Sequence, residues 1–264
     1  MTDAVMYEIG KLTCLTKLDI TGLEKVTSEG IAKLEALPLQ ELSLDELPAA
    51  IDEEALIRLF KALGKTLEEF EYDGRMPATK LQGLSACKKL RTLQLKHVEA
   101  VEGKGFEWLS QLTGLEGLDL TSTGKLGKSF LEALAQLPCL TTFKIWQFTG
   151  FTAEWPISFD GVAKDWSLPE LREAYFLNAL TTNDDLRLFL AGTPKLRELQ
   201  IGQSLIANDT TLALLSEKKE LTELSLEKCK KVTEKGLESL YGLSQLRSLE
   251  LCGLDEATIS NASV

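Results

Sequence analysis

The feature that most constrains this chain is a period. The pattern Leu-x-x-Leu-x-Leu, with apolar substitutes, recurs at Leu15-Leu18-Ile20, Leu39-Leu42-Leu44, Leu67-Phe70-Tyr72, Leu90-Leu93-Leu95, Leu115-Leu118-Leu120, Leu140-Phe143-Ile145, Leu171-Ala174-Phe176, Leu196-Leu199-Ile201, Leu221-Leu224-Leu226 and Leu246-Leu249-Leu251. Successive copies lie 24, 28, 23, 25, 25, 31, 25, 25 and 25 residues apart. Within a copy the last two apolar positions are two residues apart, so they share one face of a short strand while the residues between them face the other way. The rest of each unit reads at helical spacing. It is clearest at Val232-Thr233-Glu234-Lys235-Gly236-Leu237 running on to Leu240 and Leu243, and in its echo Val26-Thr27-Ser28-Glu29-Gly30-Ile31. Thr27 and Thr233 stand where a hydroxyl caps a helix N-terminus. One strand–turn–helix unit cannot bury its own leucines; stacked units bury one another's. The period therefore accounts for the 52 leucines among 264 residues.

The unit Leu221-x-x-Leu224-x-Leu226-x-x-Cys229-x-x-Val232-Thr233-x-x-Gly236-Leu237-x-x-Leu240 resembles the cysteine-containing class of leucine-rich repeat found in F-box-type proteins. The resemblance implies an α/β fold: a leucine-rich-repeat solenoid, a curved horseshoe of about ten repeats, with a parallel β-sheet on the concave face and short helices on the convex face. The family's cysteine position holds Leu23, Leu47, Val98, Thr123, Phe148 and Leu254 in other copies, which makes it a buried filler position, Cys229 included. A single domain, 1–264, is expected. Residues 1–14 form a helical half-repeat at the N-terminal end, 15–254 the repeats, and 255–264 a polar tail without a helical pattern. Either these ends cap the array, or the array belongs to a larger assembly.

Charge narrows the partners. The 29 Lys and Arg against 40 Asp and Glu give a net charge of −11, which argues against nucleic acid and anionic membranes, both of which are met with clustered cations. An apolar share of 44% predicts a core, and no window is long and apolar enough for a membrane span. The N-terminus has no ordinary export signal. Five cysteines, odd in number and widely spaced, offer no zinc spacing and read as reduced thiols; the expected compartment is the cytoplasm, or the nucleus in a eukaryote, with export as an effector left open.

Catalytic inventory is poor. His97 is the single histidine and follows the fourth strand as a solvated turn residue, and no phosphate-cradling, zinc-protease or serine-nucleophile motif occurs. No catalytic residue, cofactor or metal site is expected. The strand register instead assigns a displayed surface: counting the first Leu as position one, positions three, five and seven face away from the core. Their N-terminal third is acidic, with Asp19, Glu41, Asp45, Glu69, Glu71 and Asp73 on neighbouring strands. Like charges side by side are unfavourable in a sheet, so the patch predicts attraction of a basic segment of a partner protein. In the middle, Lys144, Trp146, Tyr175 and Leu177 fall on adjacent strands, next to the 31-residue step that contains Phe148, Phe151, Trp155, Phe159, the turn-like Asp160-Gly161, and Trp166. These rings either face a partner or fold back into a core of their own. The function expected is a non-enzymatic protein-interaction scaffold. The alternatives are the substrate-recognition arm of a ubiquitin ligase, another leucine-rich-repeat regulator or effector, or an activator of a bound enzyme. Oligomeric state is not readable from the sequence.

Overall fold

The computed structural model describes residues 1–101, 104–147, 157–180, 182–202, 206–228 and 230–254. The chain forms two compact units, Met1–Leu140 and Thr141–Val264. In the first, strands β1 (Lys17–Ile20), β2 (Glu41–Asp45), β3 (Glu69–Pro77), β4 (Thr92–Glu99) and β5 (Gly117–Thr121) pair in parallel, each with its sequence neighbour. In the second, β6 (Thr142–Trp146), β7 (Glu173–Leu177), β8 (Glu198–Gly202), β9 (Glu223–Glu227) and β10 (Ser248–Cys252) do the same. The register matches the repeat position for position: Leu42 faces Phe70 on the next strand, and Ala174 faces Leu199.

The apolar positions of β2 to β9 fill the core, whereas Leu18 on β1 is half-buried and Leu249 on β10 is 46% exposed. Leu93, Leu95, Leu199 and Ile201 are fully buried. At the family's cysteine position Leu23, Val98 and Thr123 are likewise fully buried and Leu47 nearly so, as expected of a filler, whereas Leu254 is only half-buried; Phe148 and Cys229 lie outside the described residues. The strands hold register through the carbonyl at position two, which accepts two N–H groups from the next repeat. The Thr16 carbonyl takes those of Gln40 and Glu41, at 2.7 and 3.0 Å, and the Arg197 carbonyl takes those of Thr222 and Glu223, at 2.7 and 3.0 Å.

The helical halves vary in length. Among the described residues they include α1 (Asp3–Ile9), α2 (Ser28–Ile31), α3 (Glu53–Leu63), α4 (Lys128–Leu134), α5 (Asn183–Ala191), α6 (Asp209–Leu215) and α7 (Glu234–Glu238), with 3-10 turns at Ala32–Ala36, Ala78–Ala86, Glu107–Gln111 and Ser239–Gly242. The cap roles expected of Thr27 and Thr233 divide. Thr27 accepts from the Glu29 N–H, whereas the Thr233 side chain makes no cap bond. Both instead lock onto the preceding repeat. Thr27 donates its N–H and hydroxyl to the Asp3 carboxylate at 2.8 and 2.7 Å, and Thr233 does the same to Asp209 at 2.8 and 2.7 Å. That lock explains the glycine three residues on. A Cβ at Gly30 or Gly236 would stand 2.2 Å from the Asp3 or Asp209 Oδ1.

A second regularity escapes the sequence pattern. The residue after the strand's last outward position takes a left-handed backbone in several copies: Gly22, Glu46, His97, Ser122, Asn178, Lys228 and Gly253, with φ between 44° and 71°. In these copies other than His97 the chain turns off the strand there, and at Glu46 and Asn178 the N–H still reaches the next repeat, at the Asp73 carbonyl (2.7 Å) and the Gly202 carbonyl (3.0 Å). His97 thus lies within an extended β4 and not in an open turn; a bulge between Asp73 and Met76 on β3 accompanies the extension.

Candidate binding surfaces on the strand faces

On Met1–Leu140 the register sets Glu41 beside Glu69, Ser43 beside Glu71, and Asp45 beside Asp73, with Asp19 on the neighbouring β1. Glu69 and Asp19 are exposed and the other four carboxylates half-buried. Asp19, Glu41, Glu69 and Glu71 line much of a shallow groove of about 150 Å³ that reaches Thr92 and Gln94. The patch carries its own cations. Lys17 pairs with Glu41, Lys96 with Glu71 at 2.6 Å, and His97 Nδ1 lies 2.9 Å from Asp73 Oδ1. Hydrogen bonds to Glu41 and to Glu71 hold the Lys17 and Lys96 ammonium groups above the ordinary lysine range.

On Thr141–Val264 the register brings Lys144 beside Tyr175 and Trp146 beside Leu177, as expected. Lys144, Trp146 and Tyr175 are half-buried, and the Lys144 ammonium sits 4.6 Å from the centre of the Tyr175 ring, a cation–π contact. The Tyr175 hydroxyl donates to Glu198. Burial first, then that bond and the charges of Glu198, Glu173 and Glu223, push the hydroxyl well above the ordinary tyrosine range. Leu177 departs from the expectation of exposure: it is only 9% exposed. Its partner on β8 is Gly202, whose missing side chain leaves the space that Leu177 Cδ1 fills, 2.6 Å from where a Cβ would stand. Leu177 is therefore floor to this surface and not an anchor that projects from it.

The aromatic run after β6 divides. Phe159 and Trp166 are buried, at 3% and 8% exposure, and stack edge to face at 5.0 Å; Trp166 packs on Phe189, and Phe189 on Phe176 at 4.9 Å. Gly192 makes room for the indole, since a Cβ there would meet Trp166 Cε3 at 2.6 Å. These two rings are core, and Asp160-Gly161 is the expected turn, with Gly161 at φ 71°. Phe148, Phe151 and Trp155 lie outside the described residues, as does the tail 255–264. Among the described residues no group of His, Cys, Asp and Glu side chains has a metal-holding arrangement, and no helix is long and apolar enough to cross a membrane.

No family model matches the sequence, and no curated protein matches it. Solved structures do. The crystal structure of a TLR13–ssRNA13 complex is 19% identical, with a TM-score of 0.56 over 95% of this chain and 37% of that one. Two internalins of Listeria monocytogenes str. 4b F2365 also align: InlF, 18% identical with a TM-score of 0.47, over 99% of this chain and 85% of that one, and internalin C2, 19% identical with a TM-score of 0.43, over 95% and 84%. The chain spans little more than a third of the TLR13 chain. The fold is that of a leucine-rich-repeat solenoid, built of ten parallel strand repeats, five in each unit.

Proposed function

We propose that this chain is a non-enzymatic protein-interaction scaffold that takes partner proteins on its outward strand faces. The observation that carries the reading is Tyr175 and Trp146 standing half-exposed on neighbouring strands, since large aromatics at such positions are typical binding anchors. On Thr141–Val264 the contacting set is Trp146, Tyr175 and Lys144, with Leu177 as floor. On Met1–Leu140, Asp19, Glu41, Asp45, Glu69, Glu71 and Asp73 act as an acidic field that speeds the approach of a basic partner segment more than it tightens the complex.

The TLR13 structure holds a single-stranded RNA, but this chain's outward strand positions carry twelve carboxylates against three lysines, which repel phosphates and favour a protein. The cysteine-containing subclass of the repeat, with its ubiquitin-ligase recognition arms, is the particular setting that Cys229 and the Val-Thr-x-x-Gly turns favour. Affinity capture from lysate tests the reading. The native protein should recover a defined set of proteins that a Trp146→Ala/Tyr175→Ala double variant loses; equal recovery by both would count against this surface.

A further inference from the structure

We infer that the strand face of Thr141–Val264 receives a basic, extended segment of a partner protein, its guanidinium or ammonium groups held by Glu173, Glu198 and Glu223 beside the Tyr175 ring. The inference rests on the protein-binding reading and names the partner's chemistry. Glu173, Glu198 and Glu223 are Cα partners in sequence on β7, β8 and β9, so three carboxylates stand in a row roughly 5 Å from strand to strand. Glu173 accepts from the Thr142 hydroxyl at 3.2 Å, Glu198 from the Tyr175 hydroxyl, and Glu223 is exposed.

Among the described residues none of the three has a cationic side chain within ion-pair distance. Like charges opposed in a sheet are destabilising, and this unit has little with which to relieve them. Its outward strand positions hold one lysine, Lys144, and that ammonium lies over Tyr175. The acidic face of Met1–Leu140 differs, because Lys17 and Lys96 already neutralise part of it. The Lys144 contact adds a second observation: the Tyr175 ring accepts a cation in a half-exposed setting, directly beside uncompensated carboxylates. A partner bearing arginine or lysine supplies the missing charge and meets both features at once.

A short acetylated Arg-Ala repeat peptide, with its Glu-Ala counterpart as control, tests this by titration at low and at physiological salt. The Arg-Ala peptide should bind and the Glu-Ala peptide should not. The Glu173→Gln/Glu198→Gln/Glu223→Gln variant should weaken binding about tenfold, and the matched Glu41→Gln/Glu69→Gln/Glu71→Gln variant less than about threefold. Circular dichroism verifies that both variants fold. Should the first not fold, Glu223→Gln alone, at an exposed position, should weaken binding about twofold to threefold. Equal losses in both triple variants, no loss in the first, or no binding of the Arg-Ala peptide would overturn the inference. Partner capture that survives while the Arg-Ala peptide fails to bind would leave the scaffold reading standing and remove only this inference.

Discussion

The two units use one repeat and one register, and they treat charge on the strand face in opposite ways. In Met1–Leu140 the carboxylates at positions three, five and seven come with their own counter-ions at Lys17 and Lys96, and with the His97 ring beside Asp73. In Thr141–Val264 the glutamate row has no cation within ion-pair distance among the described residues, and the one lysine at the outward strand positions lies over an aromatic ring. Such exposed, partly screened pairs contribute little stability, so neither arrangement is required by the fold. The difference teaches that the repeat leaves its outward positions free to vary in charge without changing the strand register.

The largest test of this contrast concerns the aromatics of the second unit, which separate into core and surface. Trp166→Ala should cost about 3–5 kcal/mol, because it empties a site bounded by Phe159, Phe189 and Gly192. Trp146→Ala, at a half-exposed strand position, should cost well under half as much. Thermal or denaturant unfolding of the two variants checks this, and equal losses would erase the distinction between core ring and binding ring.

A smaller effect compares the same lock in the two units. Gly236→Ala should destabilise by about 1–3 kcal/mol, since the new methyl meets the Asp209 carboxylate and, at 3.1 Å, the Asp209 backbone. At Gly30 the three nearest atoms all belong to side chains, those of Asp3 and Val26, and Asp3 sits on a first helix that buries only Met6. Gly30→Ala should therefore cost less, as read by chemical denaturation; the reverse order would show that the lock is not what selects glycine.

The smallest effect carries opposite signs in the two units. Glu46→Gly relieves a left-handed backbone at φ 44° and should stabilise by up to about 1 kcal/mol. Asn178→Gly relieves the same conformation but removes a buried side chain whose Nδ2 donates to the Gln147 carbonyl at 3.0 Å, and should destabilise by about 1 kcal/mol. Melting temperatures that move in the same direction would break this assignment.

Much of this molecule is legible in its leucines. Positions four and six fix which side of each strand is buried, and the 25-residue step fixes the parallel register, so Lys144 beside Tyr175 and Glu41 beside Glu69 follow by counting. Counting fails where a neighbouring repeat decides the outcome. Leu177 has the pattern of an outward residue, but Gly202 on the next strand makes a hollow that draws it in. Thr233 has the look of a helix cap, but Asp209 of the preceding repeat claims its hydroxyl. The signal for that lock was present, in Asp3 and Asp209 each standing 24 residues before a Val-Thr-x-x-Gly threonine, and it becomes readable only once the helices are known to stack. The left-handed position is written as Gly in two copies and as Glu, His, Ser, Asn or Lys in others, so residue type alone does not mark it in the sequence.

The central claim, that the strand face around Tyr175 and Trp146 holds a partner protein, is tested most directly by calorimetric titration of a captured and purified partner into the native chain and into the Trp146→Ala/Tyr175→Ala variant, both verified as folded. The account predicts a loss of about 2 kcal/mol or more in binding free energy, roughly thirtyfold or greater in Kd. An affinity unchanged within about twofold, a difference well under 1 kcal/mol, would contradict it.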